Sequence, residues 1–391
     1  MTESTHQPGR HFLQIPGPSN VPDRILRAMA APVVDHRGPD FPKLTHRVQE
    51  KLAAVFNTSQ PVIIYPASGT GGWESALLNT LSPGDKVLAF ETGHFATLWK
   101  NVADKLGLEV DFVPGDWRHG IDTFTVREKL DADTNHDIKA VLAVHTETST
   151  GINSEISAVR EAIDSVLHPA LFMVDAVSSL ACSEFRHDEW KVDVTVSASQ
   201  KGLMLPPGLA FNAISEKAIE ASKHSTAKHS YWRWDEMLTN NARGYFPYTP
   251  GTNLLYGLDE ALDMINEEGL DNVVARHARH AQATRIAVDA WGLENLCLNE
   301  KEYSNSTTAV LMPDGFDSDE LRLKILERFN MSLGMGLGKV KGSVFRIGHI
   351  GAFNDLMLAG TLSGVEMGLN LAKVPYQKEG VQAALDFLAE S

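Results

Sequence analysis

Cysteine is nearly absent from these 391 residues. Cys182 and Cys297 are the only two, too few for a disulfide framework or a cysteine-rich zinc site, and this usage fits a reducing compartment. Positive charge is also scarce: Lys and Arg number 35 against 50 Asp and Glu, a formal net charge of -15. A surface biased this way repels phosphate backbones and anionic lipid, so nucleic acid and membrane are poor expectations as partners. No apolar run approaches the roughly 20 residues of a membrane-spanning helix. The opening MTESTHQPGRHFLQIPGPS lacks a basic start followed by an apolar core, which predicts no signal peptide. HExxH, GxSxG and internal repeats are missing too, so zinc proteolysis and the serine-hydrolase elbow lack their motifs. The expectation from these absences is a soluble, cytoplasmic protein.

What is present is an ordinary globular composition, 43% hydrophobic and 22% charged, on a chain long enough for two domains. Seven short runs rich in β-branched residues read as strands: 62–65, 87–90, 110–113, 140–145, 171–176, 192–197 and 209–214. Helical spacing of apolar residues falls between several of them, at 73–81, 95–106 and 156–167. Such alternation predicts an α/β fold with a mostly parallel seven-stranded sheet between helices, whose ligands bind at the carboxyl ends of the strands. The aromatic, Pro- and Gly-rich stretch 231–251 has no clear period and is expected to be irregular. A long helix at 270–291 and a second set, strand 307–312, helix 319–329, strand 344–350 and helix 356–371, predict a smaller C-terminal α/β domain packed on the N-terminal arm. The expected division is an arm at 1–22, a large domain at 23–267 and a small domain at 268–391. His277 and His280, in RHARHAQ, are expected on a solvated helix face rather than in a metal site.

Three strand-end features carry chemistry. Ser68-Gly69-Thr70-Gly71-Gly72 lies between a strand and a helix, where unpaired N–H groups make an anion site. It is no dinucleotide fingerprint, because Glu74 stands where the last glycine would be, and the Gly-Lys-Ser/Thr ending of a nucleotide loop is missing. Asp175 closes the apolar strand of LFMVDAVSS and needs a partner for its charge. Lys201 follows the next strand among small residues, 26 positions later, with room to condense with a carbonyl. Taken singly, each also has a structural account: a glycine turn, a buried ion pair, a surface lysine. In this order they meet the three demands of pyridoxal 5'-phosphate: a phosphate site, an acid for the pyridine nitrogen and a lysine for the aldehyde.

The sequence then resembles the class V, fold-type-I aminotransferases, in particular the serine/alanine/aspartate–glyoxylate branch. The resemblance is carried by PGPSNVP at 16–22, DHRGPDF at 35–41, SGTGGWESAL at 68–77, HTETSTG at 145–151, VDAVSS at 174–179, SASQKG at 197–202, YFPYTPG at 245–251 and FRIGHIG at 345–351. It implies that Lys201 carries the cofactor and shuttles the proton, and that Asp175 keeps the ring nitrogen protonated. It further implies that Thr70, Gly71 and Gly72 hold the phosphate with Gln200 beside them, that Thr148 or Ser149 meets the ring hydroxyl, and that Val177 and Phe95 cover the two ring faces. Arg346 is expected to take the substrate α-carboxylate. His36 and Arg37 are expected near the donor side chain, and Thr249 with Tyr248 or Tyr245 at the phosphate of a neighbouring subunit, which makes the expected assembly a homodimer with composite sites. The implied reaction moves the amino group of serine, then aspartate or alanine in preference, to glyoxylate by a ping-pong route through pyridoxamine phosphate. The alternative is a lyase or desulfurase on the same scaffold, for which both cysteines look structural.

Overall fold

The computed structural model describes residues 9–391, and in it the seven β-branched runs form a single sheet. Its order is Val62–Ala67, Gly208–Ile214, Val194–Ala198, Leu171–Asp175, Ile138–Val144, Lys86–Phe90 and Glu109–Val113. Every pairing is parallel except the two made by Gly208–Ile214, which runs against both neighbours. Leu171–Asp175 and Val194–Ala198 are buried at every position, as strands covered by helices on both faces must be. The register pairs Asp175 with Val196, so the loop after Ala198 emerges at the same sheet edge as Asp175. The helices Gly69–Thr80, His94–Lys105 and Ile156–Ser165 stand where helical spacing predicted them.

A second sheet follows the order Phe12–Gln14, Met331–Met335, Val344–Gly348, Thr307–Leu311, Glu294–Asn295. The helices Ser318–Phe329 and Asp355–Ala372 cover it with Leu321, Ile325, Leu358, Leu362, Val365 and Leu369, all completely buried. Each such side chain contributes about 1.5–3 kcal/mol on leaving water. Met331–Met335 escapes the sequence patterning, yet it is the strand on which the N-terminal arm docks: Phe12, Leu13 and Gln14 pair in parallel with Met331, Ser332 and Leu333.

Two expectations fail. Residues 231–251 are not irregular throughout, since Trp234–Asn241 is a helix whose Trp234, Met237 and Asn241 are buried. His277 and His280 do not face solvent; both are 0% exposed. They lie in the buried stripe of Leu270–Ala290 with Val273, Ala281, Thr284, Ala287 and Val288, and three of their four ring nitrogens are bonded internally, His280 Nδ1 having no partner among the described residues. His277 Nδ1 meets Val273 O at 2.7 Å and its Nε2 accepts from Gly351 N at 3.1 Å, while His280 Nε2 meets Asp355 at 2.8 Å. Val273 of this helix belongs to the core of the large sheet, whereas Ala283, Ala287 and Val288 belong to that of the small sheet.

Candidate active site

At the carboxyl edge of the large sheet, three strand-end loops surround a cavity of about 240 Å³. Asp175 enters it from the end of Leu171–Asp175 with its carboxylate fixed on both sides. Oδ1 accepts from Val177 N at 2.7 Å and Oδ2 from the indole Nε1 of Trp73 at 3.0 Å. Burial nevertheless pushes Asp175 up to about 7, and the charge of Glu147 acts in the same direction. Lys201 enters from the next loop, where burial and the nearby Arg346 pull its amine down to about 7. In the chain alone, its Nζ donates to the carbonyl of Pro16 at 2.5 Å.

The third loop begins the helix Gly69–Thr80. Ser68, Gly69 and Thr70 line the cavity, whereas Gly71 and Gly72 do not. The N–H of Gly72 already bonds to Ser68 O at 3.1 Å, so the free donors of this helix start are those of Gly69, Thr70 and Gly71. The missing side chains of Gly71 and Gly72 also answer a packing demand. A Cβ on Gly71 would stand 2.7 Å from Trp232, and one on Gly72 2.7 Å from Val196. Gln200 lines the cavity with its Oε1 buried and unpartnered among the described residues.

Phe95, Val177 and Thr148 also line the cavity. Between Thr148 and Ser149 the structure distinguishes clearly. Thr148 Oγ1 bonds to Ser178 Oγ at the cavity wall, whereas Ser149 Oγ turns away to accept from His94 N at 2.9 Å and donate to Glu147 at 2.7 Å. Glu147, 1% exposed, accepts from Ala96 N at 2.9 Å and Phe95 N at 3.3 Å, serving as a remote cap for the helix that carries Phe95. Arg346 sits just outside the cavity wall, its Nε on Met335 O at 2.9 Å and its Nη1 on Thr148 O at 2.8 Å. Burial lowers it only to about 10, so it stays charged.

The remaining predicted residues lie apart from this cavity. Arg37 and Thr249 are exposed, and His36 has a buried Nε2 with no partner among the described residues. Tyr248 stacks on Tyr231 at 4.4 Å, its buried hydroxyl without a hydrogen-bond partner among the described residues, and Tyr245 packs against the large core. Trp73, Glu147 and Ser178 are contributors that sequence patterning did not single out.

A buried acid and a buried amine that both resist ionisation, set around a space with free helix N–H donors, suit a ring that carries its own positive nitrogen and a phosphate. The fold and the donor set are those of a fold-type-I pyridoxal-phosphate enzyme. The chain belongs to the class V aminotransferases: the model of that family, aminotransferase class-V, matches residues 11–337. It is 47% identical to a serine–glyoxylate aminotransferase of Arabidopsis thaliana over 97% of this chain and 96% of that one. It is 45% identical to an L-aspartate–glyoxylate aminotransferase of Paracoccus denitrificans over 95% and 94% of the two chains. Among solved structures, pyridoxamine–pyruvate aminotransferase from Mesorhizobium loti superposes with a TM-score of 0.91 at 29% identity, covering 97% of each chain. The protein is therefore a transaminase with pyridoxal 5'-phosphate as its cofactor, and the residues present fit that group: Asp175 fixed by two donors, Lys201 kept near neutrality and, among the described residues, three N–H groups at the start of a helix with no partner. Among the described residues, no helix is long and apolar enough to cross a membrane.

Proposed function

We propose that this enzyme transfers the amino group of a small L-amino acid to glyoxylate, giving glycine and a 2-oxo acid in two half-reactions, with serine as first donor and aspartate or alanine next. The observation that carries the reading is the meeting of Asp175 and Lys201 at one cavity on the carboxyl edge of the large sheet, lined also by Gly69 and Thr70 at a helix start. The likeness to both serine– and aspartate–glyoxylate aminotransferases supports the same pair of substrates.

When bound, pyridoxal 5'-phosphate supplies an aldehyde that takes up amino groups and a protonated ring that draws electrons from the substrate Cα. In this reading Asp175 holds the ring proton, oriented by Trp73 and Val177. Lys201, near neutral, moves the proton at the substrate Cα. Arg346 binds the α-carboxylate through its planar fork and turns the Cα–H toward Lys201. Thr70 and its neighbouring N–H groups bind phosphate, Thr148 meets the ring hydroxyl, and Phe95 and Val177 exclude water from the two ring faces. The exposed Arg37 and Thr249, His36, and Tyr248, its hydroxyl without a partner among the described residues, fit a composite site completed across a cytoplasmic homodimer. The division proposed is an arm at 1–22, a large domain at 23–267 and a small domain at 268–391; most of the large core lies in the second and most of the small-sheet core in the third, with Val273 crossing the boundary.

A desulfurase needs a reactive thiol, and burial pushes Cys182 up to about 12 and Cys297 up to about 11, which leaves that alternative without its nucleophile. Product analysis tests the proposal. Serine with isotopically labelled glyoxylate should yield labelled glycine and hydroxypyruvate in equal amounts by NMR. Pyruvate and ammonia from serine, with no glycine, would mean a lyase.

A further inference from the structure

The N-terminal arm does more than add an edge strand. Phe12–Gln14 is held by the small sheet through Met331–Leu333, and five residues on the arm is fastened to the lysine loop. There Ser19 N donates to Gln200 O at 2.9 Å and Ser19 Oγ to Lys201 O at 3.0 Å. Between these two anchors Gly17 and Pro18 roof the cavity, and the carbonyl of Pro16 accepts from Lys201 Nζ. Gly17 has φ +128°, and a Cβ there would stand 2.5 Å from both Cδ and Nζ of Lys201. Pro16 also abuts the strand pair that carries Arg346: a Cβ on Gly334 would meet Pro16 Cδ at 2.7 Å and Arg346 Cβ at 2.9 Å. The arm thus touches the amine and packs beside the strand pair that carries Arg346.

Transamination requires Lys201 to alternate between an attached and a free amine. A free amine with no fixed partner would sample several rotamers in a buried site and lose its aim at the substrate Cα. We propose that Pro16 and Gly17 form the seat of the free Lys201 amine, the Pro16 carbonyl holding one N–H and the bare Gly17 making room for the side chain, so that the arm positions the proton shuttle. The proposal rests on Lys201 being the cofactor lysine. Asp175, Glu147, Cys182 and Arg346 are the titratable groups around the amine, and the seat adds to them a neutral acceptor that favours its protonated form.

The full-length protein freed of its cofactor tests this directly. The rate at which an amine-acylating reagent labels Lys201 is read by peptide mass spectrometry across pH, with Lys217 as internal reference. Gly17→Ala should remove the seat and shift the Lys201 labelling midpoint to lower pH by about one pH unit, with Lys217 unchanged. Ser19→Ala adds no atom, loosens the same segment and should shift the midpoint in the same direction by less; it keeps the test alive if Gly17→Ala does not fold. A Lys201 midpoint at the wild-type pH in whichever of the two variants folds overturns the proposal. The assignment of the lysine fails separately, if Lys201→Ala supplied with cofactor keeps the visible band of the wild type.

Discussion

Asp175 and Lys201 sit in a place where neither gains from being charged in the cofactor-free chain, and the neighbours of Asp175 decide how far that tendency goes. The indole of Trp73 is one of its two donors, and hydrogen bonds to a charged group are worth about 1.5–3 kcal/mol. Trp73→Phe keeps an aromatic ring but deletes the donor, so kcat should fall by about tenfold or more with KM little changed, as steady-state kinetics will show. Arg346→Lys keeps a charge but loses the fork, and kcat/KM for the amino donor should drop by about 10- to 100-fold, chiefly through KM. Asp175 and Lys201 were legible through their order, a glycine loop, then an acid closing a buried strand, then a lysine just past the next strand, since either charge alone reads equally well as structural. Trp73 was not, because its partner lies 102 positions away and an indole in a helix reads as core. Gly71 and Gly72 were legible as glycines, but the contacts that require them, Trp232 and Val196, come from elements that only the fold brings close.

Among the elements, the helix His94–Lys105 depends on a carboxylate that is remote in sequence. Its start has no side-chain cap of its own, and Glu147 supplies the acceptors for Phe95 N and Ala96 N. Glu147→Gln should therefore lower the unfolding free energy by about 1–2 kcal/mol in denaturant titrations, and loosen the cavity wall at Phe95. The buried strands of the large sheet could be read from continuous apolar runs, since both faces must be covered. Trp234–Asn241 could not, because an eight-residue helix is shorter than the window in which helical periodicity becomes visible. His277 and His280 were misplaced for a different reason: flanking arginines suggest a wet surface, while the stripe shared with Val273, Ala281 and Thr284 is the periodic feature that wins.

For the whole molecule, the coupling of charge to folding has a definite sign. Lys201 titrates near 7 in the folded, cofactor-free chain and near 10.4 when unfolded, so its contribution disfavours folding fully below about pH 7 and fades as pH rises to about 10. Asp175, raised to about 7 from about 3.9, disfavours folding increasingly from about pH 4 to 7. The two effects together are greatest near pH 7. Cofactor-free wild type should accordingly gain stability between about pH 7 and pH 10 relative to Lys201→Met, which carries no titrating amine; parallel denaturation curves at the two pH values would contradict this. The most direct measurement of the central claim is the visible absorption of the purified enzyme as serine, aspartate or alanine is added, followed by glyoxylate, with Lys201→Ala as control. The cofactor band should bleach with at least one donor and return with glyoxylate, and the control should lack the wild-type band. Protein supplied with pyridoxal 5'-phosphate that shows no such band, or a band that no donor bleaches, would contradict the account.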